Sequence, residues 1–190
     1  MQVTTHLDHT LRERADDPDE LRDALKSEAA DLQSVREALA DSPNELDVTR
    51  LARVLNRLAD HLRLDGRFDA AAEHATQARD IWRDMDRHRA AYLAELRRIH
   101  ALGDKMEAPD SWRSAREACG ALIDRARSQE DLEIYLDFAL ERRGIIAWRL
   151  DALEDAGDDL RAALEIRRER GVDRLVERTE TVLEHVTTDA

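Results

Sequence analysis

The sequence predicts an all-α protein, and three observations carry that expectation. Apolar residues recur at three- and four-residue steps along nearly the whole chain, and no stretch alternates strictly. Seven aromatics, six glycines and three prolines in 190 residues are too few for the strands and tight turns of a β-sandwich or barrel. Start and stop signals divide the chain into about eight amphipathic segments and predict no sheet.

Residues 1–16 hold two histidines and a weak pattern, and are expected to be frayed or to form a short helix. Asp17 before Pro18 opens the first helix, because the carboxylate can accept from an early amide while proline fills a position whose N–H is spare. That helix runs to about Ala40 along Leu21, Leu25, Ala29, Leu32, Val35 and Leu39. Asp41-Ser42-Pro43-Asn44 breaks the pattern, and Asn44 can cap a second helix from near Glu45 to Leu64. Gly66 ends it in a left-handed stop, and Phe68 to Met85 return as a third helix, making a helical hairpin. Residues 90–103, 111–127, 132–150 and 152–170 give four more helices, with residues 103–110 read as an extended loop. Gly171 closes this series, and Leu175, Val176, Val182, Leu183 and Val186 mark a last helix from Val172.

Charge narrows the function. Thirty basic against forty-three acidic residues leave a net −13, which argues against bare nucleic acid or anionic membrane as partner. The single cysteine, Cys119, cannot form an internal disulfide. No apolar run approaches the roughly 18 residues of a membrane span, and the amino terminus shows no basic segment followed by an apolar one. The expectation is a cytoplasmic setting.

An internal period reshapes the architecture. Ala78, Gly120 and Ala163 are 42 and 43 residues apart, as are Ile81, Ile123 and Ile166, and Ala59, Ala101 and Gly144. Small residues at fixed intervals let helices approach closely. LNRLADHLRLDGRFDAAAEHATQARDI, residues 55–81, resembles a tetratricopeptide repeat: small Ala59, Gly66 at the turn, Phe68 opening the second helix, then Ala71 and Ala78. ALERRGIIAWRLDALEDAGDDLRAALEIRRERG, residues 139–171, resembles it again, in the longer form seen in kinesin light chains, with Gly144, Leu153, Ala156, Leu160, Ala163 and Ile166. The central copy departs from the pattern at Asp104 and Arg113. The resemblance implies a short solenoid of stacked antiparallel hairpins over residues 17–190 as one domain. Its copies are about 46–86, 87–129 and 130–171, with an extra amino-terminal helix and a capping helix at 172–187.

Catalytic chemistry finds no foothold in the sequence. His6-Leu7-Asp8-His9 lacks the further ligands of a metal site, the other histidines are isolated, and no HExxH, GxxxxGK[ST], GxGxxG or GxSxG stretch occurs. Cys119, between Ala118 and Gly120, reads as a buried thiol, and Trp82, Trp112 and Trp148 as packing residues. The arginine-rich residues 167–178, interleaved with acids, read as a solvated face. No catalytic residue, metal or cofactor is expected.

Binding is what the resemblance implies, in a concave groove lined by the first helix of each hairpin. Asn56 in LNRLA resembles the groove-facing asparagine of LNNLA in the kinesin-light-chain-like repeats, where an amide serves peptide N–H and C=O groups. Arg53, Arg57 and Asp60 share its predicted face, and Arg98, Glu141, Arg142 and Ile145 join from the other copies. The arginines suit a protein or peptide with an acidic segment or a free carboxylate. The competing readings are that these are ordinary surface charges, or that the acidic body is a regulatory or inhibitor protein masking a basic partner surface. Self-association through an uncapped edge is a further expectation.

Overall fold

Two side-chain caps set the first long helices. Asp17, in extended geometry, accepts from the amides of Asp19 and Glu20 at 2.8 and 3.3 Å, and α1 follows as Pro18–Asp41. Asn44 Oδ1 accepts from the Asp47 amide at 2.9 Å and starts α2, Glu45–Leu64. The computed structural model describes residues 3–105 and 109–188. Its remaining helices are α3 Phe68–Asp84, α4 His88–Asp104, α5 Pro109–Ser128, α6 Leu136–Arg149, α7 Leu153–Glu169 and α8 Asp173–Thr188. A 3-10 turn, Glu133–Tyr135, leads into α6. The fold is all-α in substance, with eight helices among the described residues, and none of them is long and apolar enough to cross a membrane.

Four of the junctions are built alike. Gly66, Asp86, Asp151 and Gly171 take positive φ values of 80°, 55°, 61° and 65°. At each, the amide of that residue and the next reach back to carbonyls three and five residues earlier, as in Gly66 to Arg63 and Arg67 to Leu62 at 3.0 and 2.8 Å. This is the Schellman stop, which satisfies orphan carbonyls of the ending helix by one left-handed residue. Glycine takes that conformation without strain, whereas aspartate is among the few other residues that tolerate it. The expected glycine stops are therefore present, and two aspartate stops share their work.

The chain contacts group into two compact units, Met1–Lys105 and Met106–Ala190. In the first, α1 packs on α2, α2 on α3, α3 on α4, and α2 also touches α4. In the second, α5 packs on α6, α6 on α7, α7 on α8, and α6 touches α8. The units correspond at one offset of 85 residues: α3 and α7 match at both ends, Gly66 matches Asp151, and Asp86 matches Gly171. Ala59 matches Gly144, which shows why the column is small. A Cβ on Gly144 would lie 2.9 Å from Leu160 Cγ and 3.1 Å from the Ala156 carbonyl oxygen. Leu55, Leu58, Leu62, buried alanines and Trp82 fill the first core, and Ile123, Ile145, Ile146, Leu160 and Val182 the second. Trp112 is half-buried, and Trp148 meets the His185 ring edge-on at 5.2 Å.

Two expectations fail. Instead of a frayed or helical amino terminus without any sheet, β1 Thr5–Leu7 pairs antiparallel with β2 Glu13–Ala15. Asp8 is the reason: its carboxylate accepts from Thr10 N and Oγ1 at 2.8 and 2.6 Å, Arg12 N at 3.2 Å and Arg14 Nε at 2.9 Å. Burial alone would raise its pKa, but these hydrogen bonds outweigh it and hold the carboxyl below the usual range. Such side-chain bonds to local backbone favour a turn over a weakly patterned helix. The loop expected at residues 103–110 is also shorter, because Gly103 and Asp104 complete α4 and Pro109 opens α5. The buried Asp104 carboxylate accepts from Arg63 Nη1 at 3.0 Å, and Arg63 also pairs with Glu13 of the hairpin. Residues 106–108 of that loop, and residues 1 and 2, lie outside the described residues.

Candidate interaction surface

The pattern of α2 places apolar residues inward and leaves one charged stripe outside. Ala52, Leu55, Leu58, Ala59 and Leu62 are buried, whereas Arg50, Arg53 and Arg57 are exposed at helical spacing. Leu46, one turn before Arg50, is 77% exposed. Arg57 is engaged by α1, its Nε donating to Glu28 Oε1 at 2.9 Å and its Nη2 to Asp31 Oδ2 at 3.3 Å. Arg50 stands off at 3.7 Å from Asp31 Oδ1. Asp60 accepts from Arg97 Nε of α4 at 2.9 Å. Arg53 makes no ion pair among the described residues. Asn56 is half-buried, and its Oδ1 is withdrawn from solvent with no hydrogen-bond partner among the described residues.

The remaining candidates are distributed differently. Arg98 lies on α4, where its Nη2 donates to Glu95 Oε1 at 2.7 Å. Glu95 also accepts from Arg79 of α3 at 2.8 Å. Burial would raise the Glu95 pKa, but the hydrogen bonds from Arg98 and Arg79 outweigh it and lower it. Glu141, Arg142 and Ile145 lie on α6 in the second unit, and all three are buried. Glu141 accepts from Arg178 Nε of α8 at 2.9 Å and pairs with Arg167 Nη2 of α7 at 2.7 Å. Of the eight candidates, the structure brings Arg53, Asn56, Arg57 and Asp60 together on one helix. Glu141 and Ile145 belong to packing between helices.

Residues 167–178 do not form a solvated face throughout. Arg167 is wholly buried, donating from Nε to Asp137 Oδ2 at 2.8 Å and from Nη1 to Thr179 Oγ1. Its position matches Trp82 at the 85-residue offset that the helix boundaries establish. Arg50 and Leu46 carry the same stripe as Arg53 at steps of three and four, which the spacing alone could have supplied.

Cys119 is buried, and desolvation pushes its thiol up to about 12. Among the described residues no group of three or more potential metal ligands occurs. Comparison with protein-family models finds no match, and comparison with curated proteins finds none either.

Proposed function

We propose that this chain is a non-catalytic protein-binding module of tetratricopeptide-like design, and that the exposed stripe of α2, as part of its groove, holds an acidic peptide segment or a free carboxyl terminus. The carrying observation is an open cationic stripe on a chain of net charge −13: Arg53 without an ion pair and Arg50 only loosely held. A guanidinium presents several donors in a fork that fits a carboxylate. The exposed Leu46, one turn before Arg50, offers an apolar anchor beside the guanidinium groups. The repeated hairpin stops and small-residue contacts support the tetratricopeptide-like reading, since such folds present inner helices to extended ligands.

Calorimetric titration with a synthetic acidic peptide carrying a free carboxyl terminus tests this. Combining Arg50→Glu with Arg53→Glu should weaken binding by about tenfold or more, because the stripe then repels the ligand. Arg168→Glu, on the exposed face of α7, should leave it unchanged. Equal affinity for the wild type and the double variant would defeat the proposal.

A further inference from the structure

The second unit leaves three large apolar side chains in solvent: Ile134 at 47%, Phe138 at 38% and Val172 at 38% exposure. One arginine ties together the segments that carry them. Arg170 Nη1 donates to the Ile134 carbonyl oxygen and to Asp137 Oδ1, both at 2.9 Å, and its Nη2 to the Glu133 carbonyl oxygen at 3.0 Å. These bonds fasten the 3-10 turn and the first turn of α6 to the end of α7, two residues before Val172. The Arg167 guanidinium lies 5.2 Å from the Phe138 ring centroid, so the ring is supported by an arginine from the interior. The segments bearing this patch also carry Glu130, Glu133, Glu169 and Asp173, all exposed and without an ion pair among the described residues. Arg174 and Arg127 are cations near them that are likewise exposed and without an ion pair among the described residues.

The first unit has the opposite chemistry at the matching positions. At the 85-residue offset, Phe138 matches Arg53, Val172 matches Arg87 and Asp173 matches His88. At these matching positions the first unit carries two arginines and a histidine, where the second carries two apolar residues and an aspartate. We infer that this patch of the second unit docks a basic amphipathic segment of a partner protein, with apolar anchors on Ile134, Phe138 and Val172 and lysine or arginine side chains on the bordering acids. Pairing of this patch with its own copy in a symmetric dimer is disfavoured, since it would set like charges against one another. The inference stands independently of the reading of α2, whose ligand has the reverse charge.

The test uses the full chain and a fluorescent synthetic peptide with leucines at helical spacing flanked by lysines, followed by anisotropy at low salt. Saturable binding should weaken about tenfold or more both in Ile134→Ser with Val172→Ser and in Glu133→Lys with Asp173→Lys. Glu20→Lys with Asp41→Lys, a matched charge change on α1, should leave the affinity unchanged, and a peptide with glutamates for lysines should not bind. Circular dichroism melts identical to wild type establish that the exposed substitutions leave the fold intact. Equal affinity across all variants, an equal loss in the α1 control, or binding of the glutamate peptide overturns the inference. So does a wild-type dimer in sedimentation that Ile134→Ser with Val172→Ser abolishes, which would assign the patch to self-association.

Discussion

Arg167 Nε sits 2.8 Å from Asp137 Oδ2, with both side chains withdrawn from solvent, where the matching pair in the first unit is Trp82 and Ala52. One unit fills the position with an indole and a methyl, the other with an ion pair that also engages Thr179 and Glu141. A buried pair of this kind contributes little beyond what packed apolar groups would, yet removing one partner strands a charge. Asp137→Ala should therefore destabilise the chain by roughly 3–5 kcal/mol, because Arg167 and Arg170 each lose one carboxylate acceptor from a buried network. The double variant Asp137→Ala with Arg167→Trp, which copies the first unit, should recover a large part of that loss. Urea unfolding of the two singles and the double closes the cycle, and strict additivity would refute the coupling.

The acid limb of stability follows from Glu141. Its ordinary pKa is 4.5; burial would raise it, but Arg178 and Arg167 outweigh burial and lower it. A carboxyl whose folded pKa is depressed contributes stability above its unfolded value and loses it as pH falls through the folded value. Unfolding free energy should thus be flat near neutrality and decline below about pH 4.5. Glu141→Gln should lower the neutral plateau and make the decline shallower. A parallel pH profile in the variant would show that Glu141 is not a source of the slope.

Two glycines in the small-residue columns should behave oppositely. Gly144→Ala brings a Cβ within 2.9 Å of Leu160 Cγ and 3.1 Å of a carbonyl oxygen, so a loss of about 1–3 kcal/mol is expected. At Gly120 the nearest atom to such a Cβ is Arg143 Nη1 at 3.9 Å. There, Ala should be neutral or stabilising by up to about 1 kcal/mol through helix propensity. Thermal melts of the two variants separate the cases.

The aspartates at the left-handed stops offer a gain. Asp86 and Asp151 hold φ values of 55° and 61° with exposed side chains. Asp86→Gly and Asp151→Gly should each stabilise by about 0.5–1 kcal/mol, since the left-handed penalty disappears. Gly66→Ala should cost about 1 kcal/mol for the converse reason, although no atom lies within 4 Å of its Cβ position. Denaturant midpoints decide the sign.

Helices, caps and the Gly66 and Gly171 stops are legible in the sequence because each depends on neighbours a few residues away. The Asp8-centred hairpin is not, since its stabilising bonds come from a side chain whose partners the apolar pattern does not report. Asp86 and Asp151 escape notice as stops because aspartate has many roles and only backbone geometry singles one out. The stripe of Arg53, Asn56 and Arg57 follows from helical spacing, but Glu141 and Arg167 look like surface charges until their partners on other helices are seen. The 42- and 43-residue period locates the small contacts, while the correspondence of two four-helix units at 85 residues emerges only from the helix boundaries and contacts.

Backbone amide shifts of the isotopically labelled full chain, recorded during titration with the acidic peptide, test the α2 surface most directly. Saturable changes concentrated between Leu46 and Asp60, with the largest at Arg53 and Asn56, are the expected result. Saturation without change on that stripe, or changes confined to other helices, would contradict it.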